Sequence, residues 1–145
     1  SRVIIGTRAC NEPSWVIEMI KQFGPDRIVV GIDAKDGMVA TQGWVETSTT
    51  PAKDLAKALV ANGLRWIIHT DVSTDGAMQG PNLEAQREIS LAVPKCNVIA
   101  SGGVSCAEDI SNLRELSIEC PNIEGVIVGK ALYEKTVDLK QVIKI

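Results

Sequence analysis

NVIASGGVSCAEDI, residues 97–110, runs from an apolar segment through a glycine pair into a polar segment with helical spacing. Val98, Ile99 and Ala100 follow one another without the alternation of a strand that faces water on one side. That is the pattern of a strand buried on both faces. Gly102 and Gly103 end the run, and Ser105 with Glu108 makes a capping-box pattern at the start of a helix. A glycine pair at such a junction has two readings: a tight turn, or a cradle whose backbone N–H groups hold an anion.

The same design recurs along the chain. RVIIG (2–6), RIVVGID (27–33), RWIIHTD (65–71), NVIASGG (97–103) and EGVIVGK (124–130) are short, rich in Val and Ile, and weakly alternating. Helical segments separate them. NEPSWVIEMIKQFG offers Asn11 as N-cap, Pro13 in the first turn and Gly24 at the end. TTPAKDLAKALVANG repeats the plan with Thr50, Pro51 and Gly63. PNLEAQREISLAVP and SCAEDISNLRELSIE are the next two, and TVDLKQVIKI is a short last helix. Strands alternating with helices at this spacing predict parallel strands joined by crossovers. Two architectures fit: an open doubly wound sheet, or part of a (β/α)8 barrel, which usually runs to ~250 residues. VIIGTRA (3–9) echoes VIVGKAL (126–132) at a separation of about half that length, which favours the partial barrel. The 145 residues are read as one domain, a C-terminal half-barrel with one extra strand–helix unit.

Composition narrows the partners. A net charge of −3 and no basic cluster argue against nucleic acid or an anionic membrane surface. No segment approaches the ~18–20 apolar residues of a bilayer span. The four cysteines contain no CxxC pair and there is a single histidine, so a metal site is not expected and the thiols suit a reducing cytoplasm. Any anion bound here must be held by local backbone groups.

The polar residues gather where ligands bind in parallel α/β folds, at the C-terminal ends of the strands. Gly6 and Thr7 follow the first run, Asp33 ends the second, and Thr70 and Asp71 end the third, with Asp75 and Gly76 beyond them. Ser101, Gly102 and Gly103 close the fourth, and Gly129 and Lys130 the fifth. A carboxylate leaving an apolar strand is partly desolvated, a setting that suits a general acid near neutral pH. Asp33 fits this; a cap or a salt bridge to Lys35 is its plainer reading. Asp75 is a second candidate, or a turn residue in an Asp-Gly step. Thr70 either orients a substrate or closes a strand. Trp44, in the Gly-flanked stretch TQGWVETS, stacks on a planar ligand or covers a barrel rim. His69, inside a strand, reads as structural.

VIIGTRA, RIVVGIDAKDG, GWVETS, IIHTDVSTDGAMQGPN, VIASGGVS and GVIVGKALYE, taken in order, resemble the phosphoribosylformimino-5-aminoimidazole carboxamide ribotide isomerases of histidine biosynthesis. The resemblance covers nearly the whole chain and implies an α/β fold made of strands four to eight of a (β/α)8 barrel. It implies an Amadori rearrangement of a ribonucleotide carrying two phosphates, with neither metal nor organic cofactor. Motif by motif, it assigns catalysis to Asp33, Asp75 and Thr70, with Asp33 or Asp75 as the acid, and substrate contact to Trp44 and Gly76. It assigns one phosphate to Gly102, Gly103, Gly129 and Lys130, and part of the other site to Gly6 and Thr7. The glycine and aspartate elements are shared with the related cyclase, imidazole glycerol phosphate synthase. The strand that carries the family's other catalytic carboxylate has no counterpart here, so slow turnover is expected of the chain alone. Open edges at its first and last strands are expected to drive self-association, and a non-catalytic, self-associating scaffold is the competing expectation.

Overall fold

A computed structural model describes residues 1–41, 43 and 46–143. Trp44 lies outside the described residues. Five parallel strands form the body: β1 (Val3–Ile5), β2 (Ile28–Lys35), β5 (Trp66–Asp71), β6 (Asn97–Ser101) and β7 (Ile123–Val126), paired in that order. The helices between them are α1 (Thr7–Asn11), α2 (Pro13–Phe23), α3 (Ala52–Ala61), α4 (Leu83–Ala92) and α5 (Ala107–Glu119). Two short helices, α6 (Lys130–Tyr133) and α7 (Leu139–Val142), follow β7. The arrangement is that of a partial (β/α)8 barrel. Among the described residues, no helix is long and apolar enough to cross a membrane.

Among the described residues the sheet has seven strands rather than five. The additional pair is an antiparallel hairpin, β3 (Met38–Thr41) and β4 (Glu46–Pro51), and β3 pairs antiparallel with the end of β2. Asp36 and Gly37 make the reversal between β2 and β3, with φ of +51° and +78°. Two consecutive left-handed residues give the tight turn whose twist matches the flanking strands, and Asp-Gly is its preferred sequence. β4 reads ETSTTP and so carries none of the apolar signal that marks the other strands. Thr50 lies in this strand instead of capping a helix. Pro51 is the last strand residue and the N-cap of α3, and the Ala52 N–H bonds back to the Gly37 carbonyl at 2.9 Å.

Other boundaries move for local reasons. Asn11 ends α1 instead of capping α2, because the chain turns helical directly after Gly6. The capping box of α5 sits one residue later than Ser105/Glu108, at Cys106 and Asp109. The strand of the run 124–130 begins one residue earlier, at Ile123, and stops at Val126, and the run 97–103 ends as strand at Ser101.

The helices pack on one face of the sheet. Val30, Ile32 and Ala34 of β2, Ile67 of β5 and Val98 of β6 share a core with Val16 and Ile20 of α2 and Leu55 and Leu59 of α3. Alternate residues therefore point the other way, toward what is the interior of a barrel. They form rows across the strands: Ile4 and Val29, then Gly31, Ile68 and Ile99, then Asp33, Thr70 and Ser101. The lower rows are mainly apolar and the uppermost, at the C-terminal ends, is polar. The layer nearest α4 carries the one histidine. His69 is buried, with Nδ1 3.2 Å from Gln86 Oε1, while Gln86 Nε2 donates to the His69 carbonyl at 3.2 Å. The partner oxygen accepts only, so Nδ1 carries a proton, and the structural reading of His69 agrees with this buried pairing.

Burial lowers the His69 pKa, against the opposing pull of Gln86, Asp71 and Asp33. The unfolded chain, with an ordinary imidazole near ~6.5, therefore takes up the proton first as pH falls. Stability is full above about pH 6.5 and is lost below it at up to about 1.4 kcal/mol per pH unit, until the folded-state pKa is reached. Urea melts between about pH 7.5 and about pH 5.5 should show this slope, and His69→Gln should flatten it. An equal slope in the variant would assign it elsewhere.

Candidate functional site

The segments leaving β5, β6 and β7 meet around a cavity of about 200 Å³. Asp75, Gly76 and Met78 come from the loop after β5, and Ser101 to Val104 from the end of β6 and the turn beyond it. Ile127, Gly129 and Lys130 come from the segment after β7. Six residues singled out by sequence are thus gathered at one place: Asp75, Gly76, Gly102, Gly103, Gly129 and Lys130.

The glycine pair is demanded twice over. Gly102 and Gly103 have φ of +98° and +83°, a region that side chains rarely adopt. Each also lies against backbone of the β5 loop. A Cβ on Gly102 would stand 2.7 Å from the Asp71 carbonyl oxygen. One on Gly103 would collide with the Gly80 carbonyl and lie 2.9 Å from Thr74 Cβ. The approach is fixed by a hydrogen bond from the Gly80 N–H to the Gly103 carbonyl at 3.0 Å. The turn that ends β6 is the surface on which the β5 loop rests.

The start of α5 is organised by a carboxylate of the helix itself. Asp109 Oδ2 accepts from the Ser105 N–H at 2.8 Å, the Ser105 hydroxyl at 2.7 Å and the Cys106 N–H at 3.2 Å. Burial pushes this carboxyl up, but the Ser105 and Cys106 donors outweigh burial and hold it below the usual range. The Asp109 carboxylate thus takes the two amides just before Ala107, the first residue of α5. The Gly102–Gly103 turn and Lys130 line the cavity. Lys130 is exposed, and its Nζ reaches the Gly76 carbonyl at 3.4 Å, so it bridges the loops after β5 and β7.

Asp33 and Thr70 stand beside this cavity in the uppermost row of the sheet. They are register partners, and Thr70 in turn partners Ser101, which lines the cavity. Thr70 is buried and Asp33 half-buried. Gly6 and Thr7, both exposed, follow β1, with β2 and β5 between their strand and β6. They lie at the same end of the sheet but do not line the cavity of Gly102 and Gly103.

The family model for histidine biosynthesis proteins matches residues 1–138. The chain belongs to the histidine biosynthesis protein family. Relatives within it are close. The chain is 52% identical over 143 residues to a protein of Trichlorobacter lovleyi, covering 99% of the chain and 57% of the relative. It is 49% identical over 145 residues to one of Opitutus terrae, covering 100% and 59%. It is 50% identical over 145 residues to one of Synechocystis sp., covering 99% and 54%. Each of these three is named a 1-(5-phosphoribosyl)-5-((5-phosphoribosylamino)methylideneamino) imidazole-4-carboxamide isomerase. The chain thus spans between 54% and 59% of the length of these histidine biosynthesis relatives.

Asp71 and Asn82 escaped the sequence assignment of site residues. Asp71 is 6% exposed, and both of its carboxylate oxygens are engaged: Oδ1 by the Ser73 N–H at 2.9 Å, Oδ2 by Asn82 Nδ2 at 2.5 Å. An aspartate at a strand end followed by a serine two residues on is an Asx-turn signal that could have found half of this arrangement. The partnership with Asn82, across a loop, has no local signature.

Proposed function

We propose that this chain forms the phosphate-binding and acid–base part of an aldose–ketose isomerase acting on a ribonucleotide with two phosphates. The observation that carries the reading is the cavity between the loops after β5, β6 and β7, where Gly102, Gly103, Gly129 and Lys130 surround space for an anion and Asp75 shares the wall. The isomerase names of relatives at about half identity support it. Gly102, Gly103, Gly129 and Lys130 hold one phosphate, and Gly6 and Thr7 contribute to the site for the other. A substrate with a phosphate at each end would lie across the polar row of Asp33 and Thr70.

The chemistry is an Amadori rearrangement. A carboxylic acid, Asp33 or Asp75, gives a proton to the ribose ring oxygen as the C1–O bond breaks, leaving an iminium at C1. A base then removes the C2 proton, and the enolamine tautomerises to the ketose. Only protons move and the rearrangement is redox-neutral, so its balance requires no electron carrier. Thr70 orients the sugar beside Asp33, Gly76 contacts the substrate, and Trp44 stacks on its planar base.

The test is a single-turnover assay with the chain in excess over the aminoaldose, together with a titration with inorganic phosphate. Saturable phosphate binding and slow conversion to the ketose are expected. Absence of both overturns the reading.

We propose further that copies of the chain associate through the open edges of the sheet. Val3 and Ile4 of β1 are each 62% exposed, and an apolar groove of about 270 Å³ lies between β1 and α2. Ile123 and Val126 of β7 line a second groove with Leu113 of α5. A parallel β1–β7 contact between two copies continues the sheet and covers both grooves. Sedimentation should detect dimers or larger species that Ile4→Lys weakens. A sharp monomer at all concentrations would exclude association.

A further inference from the structure

The loop between β5 and α4, residues 72–82, carries Asp75 and Gly76, yet the side chains that shape it sit at its two ends. At the first, the Asp71 carbonyl accepts from the Thr74 N–H at 3.3 Å, the Asp75 N–H at 3.1 Å and the Thr74 hydroxyl at 3.1 Å. The Asp71 carboxylate adds the Ser73 N–H. At the far end Asn82 makes two bonds with opposite polarity. Its Oδ1 accepts from the Ala85 N–H at 3.1 Å, capping α4, and its Nδ2 donates to Asp71 Oδ2. The cap fixes which way the amide points: only its NH₂ is left for the carboxylate. In between, the Gly80 N–H is bonded to Gly103. The loop is pinned at both ends by one side-chain pair and at its middle by the glycine turn.

We infer that the Asp71–Asn82 pair is a positioning device: it closes the loop into one shape, and so places Asp75 and Gly76 at the cavity and seats Gly80 on Gly103. The assignment rests on the reading of the cavity as a phosphate site, because placement matters only if something binds there. Neither residue lines the cavity, and the pair acts through the loop. Asp71 is buried, so a broken pair leaves polar atoms that the remaining loop must satisfy by moving. Asp75 and Gly76, the loop residues at the cavity, lie between these ties, so a shift of the loop moves the site.

The pair can be exchanged. With Asp71→Asn alone, two amide NH₂ groups face one another, because the α4 cap holds the Asn82 oxygen away. With Asn82→Asp alone, two carboxylates meet. With both, the Asp71→Asn side chain accepts from the Ser73 N–H and donates across the loop. The Asn82→Asp side chain accepts that bond and still caps α4, so all three bonds are restored, the one across the loop with its polarity reversed. Two readouts apply to the full chain: hydrogen exchange of the Asp75 and Gly80 amides against those of β5 and β6, and titration with inorganic phosphate.

Each single variant should speed exchange at Asp75 and Gly80 about tenfold beyond any change in β5 and β6, and weaken phosphate binding about tenfold. The double variant should recover both. Singles that fail to fold while the double folds would also support the pair. Unchanged loop protection in the singles, a double no better than the worse single, or loss of the fold in all three overturns the positioning role. If the unsubstituted chain takes up no phosphate, the cavity reading fails and exchange alone decides the clamp.

Discussion

Gly103→Ala should destabilise the protein by about 3 kcal/mol. Two costs add. A left-handed backbone at an alanine costs roughly 1–2 kcal/mol, and forcing an extra carbon into filled space costs about 1–3 more. The second cost is hard to relieve here. The added carbon meets the Gly80 carbonyl and Thr74 Cβ, and Gly80 is held in place by its own bond to the Gly103 carbonyl. Relief means lifting the β5 loop off the turn, which opens the cavity wall, so phosphate affinity should fall with stability. Gly125→Ala is the control. Its backbone φ is ordinary and an added Cβ meets nothing within 4 Å, so its effect should stay within about 0.5 kcal/mol. Urea midpoints measure both; equal midpoints would remove the case for a close approach at Gly103.

Asp33→Asn and Asp75→Asn should each slow the single-turnover conversion by about 10²–10⁴-fold, the range expected for losing a proton-transfer group. Phosphate binding should separate the two. Asp75 lines the cavity, so removing its negative charge relieves repulsion of the anion, and affinity should hold or rise by about two- to threefold. Asp33 stands in the neighbouring row and its variant should leave affinity as it was. A loss of rate with tighter phosphate binding marks a group whose charge serves the reaction at the ground state's expense. Equal conversion rates in the variants and the unsubstituted chain would move the acid–base role elsewhere.

The parallel body of the fold was legible because its strands are written in consecutive Val and Ile residues, which β2 and β5 bury along most of their length, while Val3 and Ile4 carry the same signal on an exposed β1. The cavity residues were legible for a related reason: glycines and carboxylates at the ends of apolar runs have few other uses. β3 and β4 were overlooked although Asp36-Gly37 advertised the hairpin, because β4 is polar and owes its strand form to pairing with β3 rather than to a buried face. The cap of α5 fell at Cys106, and not at Ser105, because Asp109 reaches both amides and a pattern of residue types does not say which one the helix begins on. The reason for the Gly102–Gly103 pair was only half visible. Positive φ is a local property, but the carbonyls of Asp71 and Gly80 arrive from another loop. Periodicity reports how deeply a segment is buried and not which segment it meets, and the Asp71–Asn82 partnership is hidden in the same way.

The bond between Gly80 and Gly103 bears on how this protein can diversify. A loop tied at both ends and in the middle has no slack, so an inserted or deleted residue between Asp71 and Asn82 breaks a tie wherever it falls. Changes of loop length, the usual route by which barrel enzymes acquire new substrates, are closed at this junction. Divergence there must proceed by exchanging side chains on a loop of constant length, with the glycine turn after β6 inherited alongside it.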